Sequence, residues 1–390
     1  MITQCEQKEI FMIAKRPIYN QQLKCVAFEI LSCRNVILNE ELTRQFYELI
    51  YHTDTQLPLF VPFSLKKLLE QFETPINNPI ILKLSADEIE SVYSLTELQD
   101  SLFSIALLIN TPQQLAWLNF AEYIGLTEQL MSKSDVTKVV QYSKAKNRKI
   151  IAYDLNQHVN FEKCKAMTMD YYCGDFLLNY IAEEHTEIAA NKLNVLQLIQ
   201  ELQKEDCDLN TITHIIQEDP LLSYQLLKLV NSVGFSSGPS IESIDQAVAR
   251  LGTINLKKWV MLFSMKNISD KPVEILESGL IRAHMAEELA KKSSNIFSQS
   301  AYTAGLLSIL DCLLNKPMPA LVEQITLAEE IKNALTNKSG PLGNLLSLVI
   351  AYEEGHWEEV TQLNINGIDL SQLYIDSLAL VSQGTKIMSN

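Results

Sequence analysis

The stretch Phe103-Ser104-Ile105-Ala106-Leu107-Leu108-Ile109 decides how the first half of the chain folds. It is nearly continuous in apolar character and short, which suits a strand covered on both faces. Similar runs, rich in β-branched and aromatic residues, recur at Ile10 to Ile13, Cys25 to Leu31, Ile80 to Leu84 and Lys149 to Tyr153. Between them, Leu42 to Tyr51 and Ser134 to Ala145 space their apolar residues by three and four, as helices do. Alternating strands and helices predict parallel β-α units with right-handed crossovers. An open doubly wound sheet would usually carry a glycine-rich turn after its first strand, and the first 124 residues contain no glycine. A shortened or distorted β/α barrel is therefore expected.

Past about residue 186 the pattern becomes helical throughout. Val195, Leu198, Ile199 and Leu202 form one stripe, and Asp208 is placed to cap a helix carrying Ile212, Ile215 and Ile216. In Glu218-Asp219-Pro220-Leu221, Asp219 can accept orphan backbone N–H groups while Pro220 occupies the first helical position, where its missing donor costs nothing. That helix runs to about Asn231, and Ser232 to Ser240 reads as a loop. Ser243 starts the next helix and Gly252 stops it, with further helices near 254–266, 278–293, 299–314, 326–336 and 341–354. The expected organisation is an α/β barrel domain over 1–185 and an all-α domain over 186–390, joined near Ile181 to Ile188.

Composition narrows the function. The chain has 390 residues, 47% of them apolar and 20% charged, which excludes disordered and collagen-like classes. A formal net charge of −15 disfavours nonspecific binding to nucleic acid or to anionic membranes. No apolar run approaches the roughly 20 residues a bilayer requires, and the N-terminal residues lack the pattern of a secretory signal, so a cytoplasmic location is expected. The seven cysteines are scattered and include no C-x-x-C pair, which argues for free buried thiols over disulfides or a zinc site. No P-loop, H-E-x-x-H or G-x-S-x-G motif occurs.

Specific motifs go further. Lys15-Arg16-Pro17-Ile18-Tyr19 followed by Ala27-Phe28-Glu29-Ile30-Leu31 resembles the start of the EAL family of cyclic di-GMP phosphodiesterases. The second half resembles an HDOD domain through Glu218-Asp219-Pro220-Leu221-Leu222, Leu229-Val230-Asn231-Ser232, Ala304-Gly305-Leu306-Leu307-Ser308 and Gly340-Pro341-Leu342-Gly343. Together these resemblances imply a two-domain bacterial signalling protein of the EAL–HDOD type.

The EAL resemblance also implies which residues should hold divalent metal ions, and the chain departs from that set. Glu29 stands at the signature glutamate, but Lys83 takes the place of a metal-binding asparagine. Leu108-Ile109 replaces an Asp-Asp pair, Tyr153 and Asn156 replace two glutamates, and Cys173 replaces a glutamine. Metal-assisted hydrolysis needs hard oxygen ligands. Glu29 is expected to pair with Lys83, with Asp154 as a second carboxylate in a remnant site. In the helical half Ser308-Ile309 stands where the related phosphohydrolases carry His-Asp, and none of the six histidines precedes an aspartate.

The expected function is noncatalytic signalling or scaffolding through protein–protein contact with a bacterial signalling partner, without cofactor or metal. Candidate contact residues are Asn231, Phe235, Lys257, Lys258 and Trp259. The alternatives are a cyclic di-GMP receptor without turnover, and a weak phosphodiesterase using Glu29, Asp87, Glu88 and Asp154.

Overall fold

The computed structural model describes residues 11–33, 40–53, 56–70, 76–85, 88–89, 103–131, 136–179, 190–204, 207, 209–231, 241–267, 270–293, 295–363 and 368–389. Contacts divide the chain into two compact units. One comprises Met1–Asn179 with Ile350–Asp376, and the other Tyr180–Val349 with Ser377–Asn390. The boundary expected from sequence, 185/186, lies outside the described residues, and residues 350–376 group with the first unit.

The first unit is the expected barrel, closed by eight strands in sequence order. These are β1 (Ile13–Tyr19), β2 (Cys25–Ser32), β3 (Leu59–Pro62), β4 (Ile80–Ser85), β5 (Ser104–Ile109), β6 (Tyr123–Leu126), β7 (Lys149–Ala152) and β8 (Tyr171–Cys173). Neighbours from β2 to β8 are parallel, whereas β1 runs antiparallel to both β2 and β8. The expectation of parallel units throughout is thus corrected at the first strand. Asn20 explains the hairpin: its Oδ1 accepts the N–H groups of Gln22 and Lys24, and Leu23 adopts a left-handed φ of 57°.

β8 covers only part of β1, pairing at Ile18 and Tyr19. Among the described residues no strand lies beside the rest of that β1 edge, and unpaired buried backbone groups there would be costly. Side chains of the segment 350–376 satisfy them. Ser371 Oγ donates to the carbonyl of Phe11 at 2.6 Å. Tyr352 Oη accepts the Ile13 N–H at 3.2 Å and lies 3.0 Å from both Ile13 O and Ser371 Oγ, either of which can take its single proton. Tyr374 Oη accepts the Lys15 N–H at 3.2 Å and donates to Lys15 O at 3.5 Å. Alternate residues 11, 13 and 15 of one strand edge are thereby capped by three hydroxyls. Pro17, next in that series, brings no donor to cap.

The second unit is helical, as expected. Asp219 caps the helix Pro220–Val230 by accepting from the N–H groups of Leu221 and Leu222. The helical stretch Ile244–Lys266 kinks at Gly252, whose φ is 70°, so the predicted stop is a real break in helical geometry. Gly305 allows helix Ser298–Leu307 to meet helix Val273–Lys291 closely, since a Cβ there would lie 2.6 Å from the Ala283 backbone. Asp208, the loop 232–240 and the junction 181–188 lie outside the described residues. No helix among the described residues is long and apolar enough to cross a membrane.

Candidate functional site

Strand periodicity builds the mouth of the barrel. Ile18, Ala27, Ile81, Ala106, Tyr123, Ile151 and Cys173 belong to the interior cluster. Side chains two residues further along the same strand share a face. Glu29, Lys83, Leu108, Gly125 and Tyr153 therefore form the next interior layer toward the C-terminal ends of the parallel strands. Arg16 joins them from antiparallel β1, two residues before Ile18. This is the end at which β/α barrels place their chemistry.

Within that layer Glu29 is only 3% exposed, and its oxygens are occupied. Oε1 accepts the Lys83 ammonium; Oε2 accepts the Cys173 thiol at 3.2 Å and lies 4.0 Å from Arg16 Nη1. Burial alone would raise the Glu29 pKa. The Lys83 and Arg16 cations outweigh it, and the carboxyl is held below its ordinary value. Burial and the neighbouring Glu29 charge push the Cys173 thiol well up, so it stays a donor. Lys83 also lies 5.6 Å from the centre of the Tyr153 ring. Gly125 makes room for that ring, because a Cβ there would approach it to 2.7 Å.

Asp154 follows Tyr153 at the rim in a left-handed conformation, φ 58°. Partial desolvation and then the Glu29 charge raise its pKa, an electrostatic coupling between the two carboxylates. Of the other oxygen donors considered from sequence, Glu88 accepts the Ser85 N–H at 2.6 Å while Ser85 Oγ accepts the Glu88 N–H, a reciprocal cap. Asp87 lies outside the described residues.

A second set of groups meets Arg16. Its Nη2 donates to the carbonyl of Glu354 at 2.6 Å and lies 3.5 Å from Asp175 Oδ2. The guanidinium therefore links β1, the end of β8 and the turn at 354–356.

In the helical unit, Arg282 is 3% exposed and its Nη1 lies 3.5 Å from Ser308 Oγ, which in turn donates to Gly305 O at 2.7 Å. A buried guanidinium thus stands beside Ser308. Lys258, expected on a contact surface, has its charge turned inward: its ammonium meets both Glu287 oxygens at 2.8 and 2.7 Å and sits 4.1 Å over the Tyr302 ring. Trp259 is half-buried, its ring 5.7 Å from that of Phe263, and Lys257 is half-buried. Asn231 accepts the Ile241 N–H and donates to the Ile241 carbonyl. Phe235 lies outside the described residues.

His284 packs edge-on to Tyr302 at 5.5 Å. Burial, then the Lys258 charge, lower its pKa to about 4. An unfolded histidine titrates near 6.5. Between those values the unfolded chain binds the extra proton, so stability should fall as pH drops from 6.5 toward 4, by an amount on the order of 2 kcal/mol. Chemical denaturation across that range should show the slope in wild type and a shallower one in His284→Phe.

Residues 191–339 match the HDOD domain, and they follow a closed barrel whose first strand is antiparallel to both neighbours. Among relatives, it is 25% identical over 399 residues to the protein YuxH of Bacillus subtilis, covering 93% of this chain and 95% of that one. It is 27% identical over 266 residues to the cyclic di-GMP phosphodiesterase CdgJ of Vibrio cholerae, covering 66% of this chain and 62% of that one. A standalone EAL protein from Vibrio cholerae, solved with cyclic di-GMP bound, is similar at 18% identity and a TM-score of 0.33, over 45% of this chain and 92% of that one.

Proposed function

We propose that this protein is a noncatalytic signalling or scaffold protein of the bacterial cytoplasm that works through contact with other proteins. The observation that carries the reading is the Lys83 ammonium seated on Glu29. A divalent ion at Glu29 would have to displace that ammonium beside a second cation, Arg16, with Leu108 and Gly125 facing the same layer. These residues do not fit the metal pair that EAL phosphodiester hydrolysis requires. In the helical unit, the resemblance to the related phosphohydrolases puts Ser308-Ile309 at the place of His-Asp, and the Arg282 guanidinium lies 3.5 Å from Ser308 Oγ. Exposed apolar residues offer contact surface instead: Leu221 and Tyr224, three apart on one helix face, are 49% and 63% exposed.

CdgJ, as a phosphodiesterase, supports the rival reading, and a direct assay separates the two. Purified protein incubated with cyclic di-GMP and Mg2+ or Mn2+ is expected to leave the dinucleotide intact. Turnover that disappears in Glu29→Ala would overturn the proposal. Saturable heat on titration with cyclic di-GMP, without turnover, would replace the scaffold by a nucleotide receptor whose anion-binding groups are Arg16 and Lys83.

A further inference from the structure

The geometry points to a transition-metal site, separate from the Glu29 layer, formed by Asp175, Glu354 and His356. One carboxylate oxygen from each acid and one imidazole nitrogen lie within 4.8 Å of one another. Two carboxylates and an imidazole are donors suited to Zn2+, and the nitrogen selects against Mg2+ and Ca2+, which take oxygen ligands. Three protein donors leave a fourth tetrahedral position for water.

The donors are held in place by the fold. Asp175 follows Gly174 at the end of β8, where the φ of 140° and the approach of the Leu155 backbone to 2.4 Å from a Cβ position admit only glycine. Glu354 and His356 flank Gly355, whose φ is 76° and where a Cβ would press to 2.8 Å on Leu31. Arg16 grips the Glu354 carbonyl, and the His356 N–H donates to Ala351 O at 2.8 Å. His356 Nδ1 already lies 3.6 Å from Glu354 Oε2.

Arg16 interacts with the carboxylates of Asp175, Glu29 and Asp154, so three acids share that one guanidinium. Arg16 competes for Asp175 at 3.5 Å, but it retains the Glu354 carbonyl and Glu29 when Asp175 turns to the metal. The ion would tie the segment 350–376 to the last barrel strand.

Calorimetric titration of the chelator-treated 390-residue chain with ZnCl2 tests this. One saturable site is expected, weakened by at least about tenfold in His356→Ala and in Asp175→Asn. His214→Ala, which breaks the exposed pair of His214 with Glu218, should leave that affinity unchanged. His356 is largely exposed, with a side-chain accessibility of 53%, so its variant should keep the metal-free melting temperature of wild type. Absence of saturable heat, or equal affinity in His356→Ala and wild type, would overturn the assignment.

Discussion

Lys83→Met is expected to destabilise the barrel unit by about 3–5 kcal/mol, because it leaves Glu29 charged and buried with the Arg16 cation no closer than 4.0 Å and a thiol as its hydrogen-bond donor. The deficit should have a distinctive pH dependence. In wild type the depressed Glu29 pKa contributes stability that is complete above the unfolded carboxylate value near 4.3 and is lost as pH falls through the folded value. In Lys83→Met the folded pKa should rise above the unfolded one. Its penalty should then be largest at neutral pH and shrink in acid as Glu29 takes up a proton. Adding Glu29→Met removes the stranded charge, and the double variant should recover most of the loss. Urea unfolding of the four proteins at neutral pH and in acid measures the cycle. A single variant as stable as wild type would show that Glu29 does not depend on its partner.

Tyr352→Phe and Tyr374→Phe carry the second large expectation. Each removes one hydroxyl and keeps the ring, so packing is retained while the N–H and C=O of Ile13 or Lys15 lose their partner. An unsatisfied buried backbone group costs about 1–3 kcal/mol. Tyr352 should be the more sensitive, since it also contacts Ser371 and its bonds to Ile13 are buried, where those of Tyr374 to Lys15 are part-buried. Hydrogen exchange should report where the damage falls: the amides of Ile13 and Lys15 should lose protection before those of β5. Equal protection in wild type and the double variant would mean that water caps the edge as well as phenol does.

The sequence legibly marked the strands that are long and apolar. Ile80 to Leu84, Phe103 to Ile109 and Lys149 to Tyr153 all coincide with strands of the barrel. Leu59–Pro62, Tyr123–Leu126 and Tyr171–Cys173 were not read, because three or four residues that include proline, glycine or tyrosine carry too little periodicity. Around the first strand, the run Ile10 to Ile13 pointed to the wrong span. β1 continues through Lys15-Arg16-Pro17, whose polar residues look unlike a strand until Arg16 is seen facing Glu29 and Asp175.

The pairing of Glu29 with Lys83 was expected through the EAL resemblance, which implies that both positions face one site, and the ammonium meets the carboxylate. Cys173 as donor to Glu29 and Arg16 as a three-way link were not legible, because each depends on contacts that only the closed barrel creates. Lys258 looked like a surface cation beside an aromatic. Its partner Glu287 lies 29 residues away on another helix, at a separation no local pattern encodes.

The tyrosine caps have a consequence for how the protein is made. Ile13 leaves the ribosome well before its hydroxyl partner on Tyr352, which is encoded 339 residues later. At roughly 5–20 residues per second, elongation takes about 20–70 s to supply it. During that interval the opening strand presents an uncapped edge to whatever else is nascent nearby, a known route to wrong pairing. Slower translation lengthens this exposure, and chaperone capture of the emerging N-terminal strand would shorten it.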